Sequence, residues 1–439
     1  MRNVCFRFLA AALMLAATLD HVAAQAYTSY FTGNPTTATT SPQGGICLMG
    51  GASEHDEAMR WFLRRADGGD ILVLRASGAD GYNAYFYSQL GVAVNSVETI
   101  VFNLGNAAYD TYVHQQIQNA EAIWFAGGDQ WDYVWYWRGT PIDSLIRDAI
   151  QQRHVVVGGT SAGMAIQGQY YFTAENGTIT SGTALQNPYA TTATVDSVSF
   201  MGNALLARTI TDTHYDNPDR RGRQASFLAR IYQDWGIEAR GIACDEYTAV
   251  CIDTTGLATV YGDYPSNDDN AYFIQVNCEA ALRGPETCQP ATPLDWRRDS
   301  MALRVYRVKG TPTGQHSFNL IDWLTGSGGT WENWWIENGS LQTAAGQVIA
   351  CGPVGVTPAA HSAGVHAHPN PSADGRFVLD GSMDRVESVE VMDVRGRVLT
   401  RVTAPAAGCV LDLSAQPAGC YVLLARHAGT VSAQRLIRN

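Results

Sequence analysis

Short apolar runs alternating with helix-like stretches constrain this chain more than any other feature. Ile46 to Met49 is a strand-like run, Gly50-Gly51 turns, and Ser53 followed by Asp56 opens a helix carrying Met59, Trp61, Phe62 and Leu63. Ile71 to Leu74, Thr99 to Asn103 and Ala122 to Phe125 read as further buried strands, with a Tyr-rich helix and a helix near Tyr109 to Asn119 between them. Such alternation implies an α/β fold whose parallel sheet is covered by helices on both faces. Ligands in such sheets bind at the carboxyl ends of the strands, so the turns directly after strands are where chemistry is sought. With 46% apolar and 16% charged residues the chain is expected to fold, and at 439 residues it exceeds one ordinary domain.

One of those turns carries a nucleophile pattern. The run His154-Val155-Val156-Val157 leads into Gly158-Gly159-Thr160-Ser161-Ala162-Gly163, and Met164-Ala165-Ile166 begins a helix. This is a Gly-x-Ser-x-Gly elbow: a strand ending in a tight turn lifts the serine hydroxyl clear, and small flanking residues avoid clashes. At the helix start, the N–H of Ala162 favours negative charge developing on an attacked carbonyl oxygen. A serine needs a base, and His214, at the end of the strand-like Thr209 to Thr213, is placed for it. A third group should orient the imidazole; Asp245 and Glu246 both follow a strand-like run, and Glu246 is preferred with Asp245 in reserve. Asp212, His214 and Asp216 could instead hold a metal, but no fourth ligand is near in sequence, so neither metal nor organic cofactor is expected.

Four segments in order, Phe125-Ala-Gly-Gly-Asp-Gln130, Gly158 to Gly163, Asp212-Thr-His214 with Arg221-Gly-Arg223, and Cys244-Asp-Glu-Tyr-Thr-Ala249, resemble the cyanophycinase-like serine peptidases, which include aspartyl dipeptidase. The resemblance covers Gly44 to about Leu257 and implies a flavodoxin-like sheet akin to class I glutamine amidotransferases. It implies Ser161 as nucleophile, His214 as base and Glu246 as orienter, with Ala162 and Gly128 as oxyanion donors. Asp129, Gln130, Asp212, Arg221 and Arg223 would bind substrate, a peptide such as a β-aspartyl-arginine polymer, and a homodimer fits the family. The pattern departs at Thr213, where Gln is common, at the longer loop Asp216-Asn-Pro-Asp219, and at Ser226, where a further Arg is expected. Two other readings are an inactive secreted protein holding peptide or glycan, and a serine esterase or amidase of non-peptide substrates.

The ends carry separate signals. Arg2 and Arg7, the apolar stretch Phe8 to Leu19 and small residues near Val22-Ala23-Ala24 read as a cleaved leader, 1–24, followed by a lead-in, 25–43. Eight cysteines remain after it, which export would allow to pair; Cys278 with Cys288 and Cys409 with Cys420 are the local pairs expected. The catalytic domain is expected over 44–352, with a Trp-rich extension at 260–352, and a linker over 353–368. The all-β module at 369–439 has Pro369-Asn370-Pro371, Asp393 to Arg397, Gln416 to Leu423 and a basic finish that resemble the C-terminal sorting domain of the type IX secretion system. That resemblance implies the secretion machinery as partner and export across inner and outer membranes. A formal charge of -12 without a basic run disfavours nucleic acid.

Overall fold

The computed structural model describes residues 25–197 and 200–348, and 365–438 apart from 371, 381–382, 384–385, 394–396 and 428–429. The expected leader at 1–24, residues 353–364 of the expected linker, and parts of the sorting-domain motifs (371 and 394–396) lie outside the described residues. The chain divides into two units, Met1–Ala350 and Cys351–Asn439.

The first unit begins β1 (Tyr27–Gly33), β2 (Ile46–Met49), α1 (Asp56–Arg64), β3 (Asp70–Arg75), α2 (Gly81–Ala84), β4 (Ser96–Phe102), α3 (Thr111–Asn119), β5 (Ala122–Phe125), α4 (Gln130–Trp137), α5 (Pro141–Gln151), β6 (Val156–Thr160) and α6 (Ala162–Ala165). Strands β4, β3, β5, β6 and β2 lie side by side in parallel, the core of a class I glutamine amidotransferase-like α/β fold. Successive strand residues point to opposite faces. Leu72, Leu74, Ile123 and Phe125 therefore pack with Val113, Ile117, Tyr133 and Ile146 of α3, α4 and α5. Ile71, Val73 and Trp124 pack on the other face with Met59, Phe62 and Leu63 of α1. Each such side chain, fully buried, contributes about 1.5–3 kcal/mol, so the two-faced pattern drives both helical layers onto the sheet.

The chain continues as β7 (Tyr171–Phe172), α7 (Ser181–Gln186), β8 (Val195–Asp196), β9 (Thr209–Asp212), α8 (Arg221–Trp235), β10 (Arg240–Cys244), β11 (Ala249–Ile252), β12 (Leu257–Tyr261), β13 (Asn270–Val276), β14 (Leu303–Lys309), β15 (His316–Asn319), β16 (Gly326–Ser327), β17 (Gly329–Glu337) and β18 (Ser340–Ala345). Here the sheet is mixed rather than purely parallel: β11 joins β2 antiparallel, and β12, β15 and β16 extend it in the same manner. The link between β11 and β12, 253–256, is too short for the crossover that parallel neighbours need. A second sheet runs β18-β17-β14-β13-β10-β9, with β9 and β10 parallel. Within the Trp-rich extension Trp296, Trp323 and Trp334 are core residues, Trp323 meeting Phe273 and Phe318 edge-on.

The expected local disulfides do not form. Cys288 and Cys409 are free thiols, whereas Cys278 is disulfide-bonded. Closeness along the chain did not bring these pairs together; a bridge requires Cα atoms within about 7 Å of one another.

The second unit is all β: β19 (His366–His368), β20 (Arg376–Asp380) and β23 (Val410–Asp412) form one sheet, and β22 (Val398–Thr403), β21 (Val386–Asp393), β24 (Gly419–His427) and β25 (Thr430–Arg438) form another. Phe377, Leu379, Val389, Val391, Leu411, Leu423 and Leu436 make its own core.

Candidate active site

At the end of β6 the chain reverses direction into α6, and Ser161 takes φ 52°, ψ −115° to do so. A left-handed serine costs of order 1–3 kcal/mol and persists only where its surroundings hold it. They do so through glycines: a Cβ on Gly163 would stand 1.9 Å from the Phe125 carbonyl oxygen, and one on Gly159 would stand 2.5 Å from Gly163. The elbow thus closes against β5 at backbone distance.

Three side chains meet there. His214 Nε2 lies 2.8 Å from Ser161 Oγ, and His214 Nδ1 lies 2.6 Å from Glu246 Oε1. With Nδ1–H donated to the carboxylate, Nε2 is left to accept the serine proton. Glu246 Oε2 accepts a bond from Asn217 Nδ2 at 3.2 Å, and the Glu246 N–H donates to Asp216 Oδ1 at 2.9 Å. The hydrogen bonds from His214 and then Asn217 hold the Glu246 carboxyl below the usual carboxylate range, against the opposing effect of burial.

The end of β2 and the Gly50-Gly51 turn that follows it supply none of these three groups but anchor the backbone at or next to each of them. Met49 O accepts from Ser161 N at 3.1 Å, Gly50 O from His214 N at 2.8 Å, and Gly51 O from Tyr247 N at 3.1 Å. The imidazole rests on Gly51, where a Cβ would come within 2.4 Å of Cε1 and Nε2.

The other expected site residues are arranged differently. Asp212 and Arg223 form a bidentate ion pair with each other, at 2% and 3% exposure, across β9 and α8. Arg221 grips Asp219 through Nε at 2.9 Å and Nη2 at 2.6 Å. Asp129 caps α4, accepting from Trp131 N at 2.9 Å, and Gln130 Nε2 donates to Phe172 O at 3.4 Å. Gly128 is exposed, while Gly127 is the neighbour nearer Ser161, at 3.6 Å between Cβ positions. The N–H groups of Ala162 and Gly128 have no hydrogen-bond partner among the described residues. Asn217 and Gly51 carry no functional signal in the sequence: an Asn in a polar loop has no spacing signature, and Gly51 reads only as a turn.

Asp245, the reserve orienter, is turned away from the histidine. Its Oδ2 accepts from Asn270 N at 3.0 Å and Asn270 Nδ2 at 2.8 Å, and burial, with help from Asp216 and Asp268, raises its carboxyl to about 7. A raised carboxyl adds stability that is complete below its unfolded pKa and disappears as pH climbs through the folded value. Stability should therefore fall between about pH 4 and about pH 7. Asp245→Asn is expected to remove that loss, about 4 kcal/mol across the interval, read from urea unfolding at stepped pH.

Residues 75–259 match the model of peptidase family S51. Among curated proteins the chain is similar to a cyanophycinase from Geminocystis herdmanii, 26% identical over 50% of this chain and 79% of that one. It is likewise similar to a cyanophycinase from Trichormus variabilis, 24% identical over 49% of this chain and 70% of that one. Among solved structures, a peptidase from an acI-B1 Actinobacterium is matched at 15% identity and TM-score 0.36, covering 51% of this chain and 89% of that one.

Proposed function

We propose that this chain, whose residues 75–259 match the model of peptidase family S51, is a serine-type hydrolase of peptide bonds acting through an acyl-enzyme on Ser161. The observation that carries the reading is the hydrogen-bonded series Ser161–His214–Glu246 on a strained strand-to-helix turn. His214 takes the serine proton as the hydroxyl attacks the scissile carbonyl, then gives it to the departing amine; Glu246 holds the ring and its charge. The N–H groups of Ala162 and Gly128 receive the oxyanion. Water repeats the sequence to release the acyl group.

The substrate class is an aspartyl or β-aspartyl peptide of the cyanophycin type, and the ion pairing favours Arg220 as its carboxylate anchor. With Arg221 held by Asp219 and Arg223 by Asp212, Arg220 is the remaining cation of the run; Nη1 donates to Thr213 O at 3.0 Å, and no carboxylate among the described residues lies within ion-pair distance of it. Burial and then the nearby Arg223 charge lower its pKa, against the opposing pull of Asp212, Glu246 and Asp216. Arg220→Ala should raise KM for aspartyl peptides about 10- to 100-fold and leave the asparaginyl analogues unchanged, as steady-state kinetics on matched pairs would report. Equal losses on both would remove the anchor role.

The reading is tested by incubating the full chain with a serine-directed fluorophosphonate and with cyanophycin and a panel of α- and β-aspartyl peptides. Labelling at Ser161 with cleavage of β-aspartyl bonds is expected; cleavage that survives complete labelling would exclude it. Export belongs to the same proposal, supported by the leader-like residues 1–24, the C-terminal resemblance and the disulfide at Cys278.

A further inference from the structure

We propose that Cys47 and Cys251 are a modification site, a cross-strand thiol pair that a disulfide oxidant joins into a covalent cross-link between β2 and β11 as the chain folds. The two are direct partners in the antiparallel register of those strands. Their Sγ atoms lie 3.6 Å apart, both residues are at most 1% exposed, and both are free thiols. Closing the bond needs the sulfurs to approach by about 1.5 Å, within reach of side-chain rotation on paired strands. A third thiol, Cys244, packs in the other core, on the opposite face of the sheet, with its Sγ directed to Leu48 O at 3.8 Å. Cys278 is disulfide-bonded, as the exported setting proposed above would allow.

The exchange balances as two displacements. The Cys47 thiolate attacks the oxidant disulfide, forming a mixed disulfide and releasing one thiolate. The Cys251 thiolate then attacks Cys47 Sγ and releases the second. Two S–H bonds are lost and one S–S bond forms, and the oxidant leaves as two thiols carrying the two protons and two electrons. Burial raises the Cys251 thiol well above its ordinary value, which disfavours the thiolate in the closed sheet, so the exchange precedes full packing of β2 on β11.

The test refolds the full chain in a cystine/cysteine buffer until Cys278 is cross-linked, alkylates in denaturant without reduction, digests and maps the peptides. A Cys47–Cys251 linked peptide in at least about tenfold excess over the alkylated forms is expected. Alkylated Cys47 and Cys251 in a sample whose Cys278 is linked would overturn the proposal, as would linkage of either to Cys244. Cys278 serves as the internal control for the oxidant, and no substitution that could compromise folding is needed.

Discussion

Ser161→Ala is expected to lower turnover of every accepted peptide by about four orders of magnitude or more, with the unfolding midpoint unchanged or slightly raised. The loss is large because the hydroxyl is the attacking group, and the His214–Glu246 pair has nothing else to deprotonate. The fold should not suffer, since alanine keeps the Cβ, the left-handed backbone is held by Gly159, Gly163 and Phe125, and only one bond to the ring disappears. Steady-state kinetics beside thermal unfolding would check both halves. A variant retaining near-normal turnover would sink the acyl-enzyme mechanism.

Glu246→Gln should be nearly as severe, at about 10³- to 10⁴-fold in kcat with little change in KM. Glutamine keeps the shape and can still meet Asn217, but its amide can donate to Nδ1. The ring would then carry its proton on Nε2, facing Ser161, where it cannot accept another. An Asp245→Asn variant gives the contrast. Its carboxyl faces Asn270 rather than the imidazole, so it should alter the pH dependence of stability and leave kcat close to wild type. If the two neighbours exchanged phenotypes, the assignment of the orienter would be wrong.

Local features of the sequence were legible because they depend on short stretches of chain. The strands at Ile71 to Leu74 and Ala122 to Phe125, and the elbow around Ser161, are written in adjacent residues, where apolar runs, glycines and small side chains dictate conformation directly. What remained illegible depends on distant partners. Asp245 and Glu246 share a chain position and a charge; only their settings, Asn270 for one and His214 for the other, distinguish them. Arg223 looked available for substrate until α8 brought it against Asp212, and the antiparallel half of the large sheet follows from β11 docking on β2, about two hundred residues earlier. The cysteines follow the same rule, since Cys288 and Cys409 stay free although each has a cysteine near it along the chain.

Met49 at the end of β2 and the two glycines after it lend carbonyls, not side chains, to the serine, the histidine and the turn after the glutamate. Evolution is therefore free to rewrite the letters of Ile46 to Met49 within the limits of an apolar core, but not their number. A single inserted or deleted residue before Gly50 would move all three anchor points together and pull the site apart while the helices stayed intact. The ruler of this site is a count of peptide units.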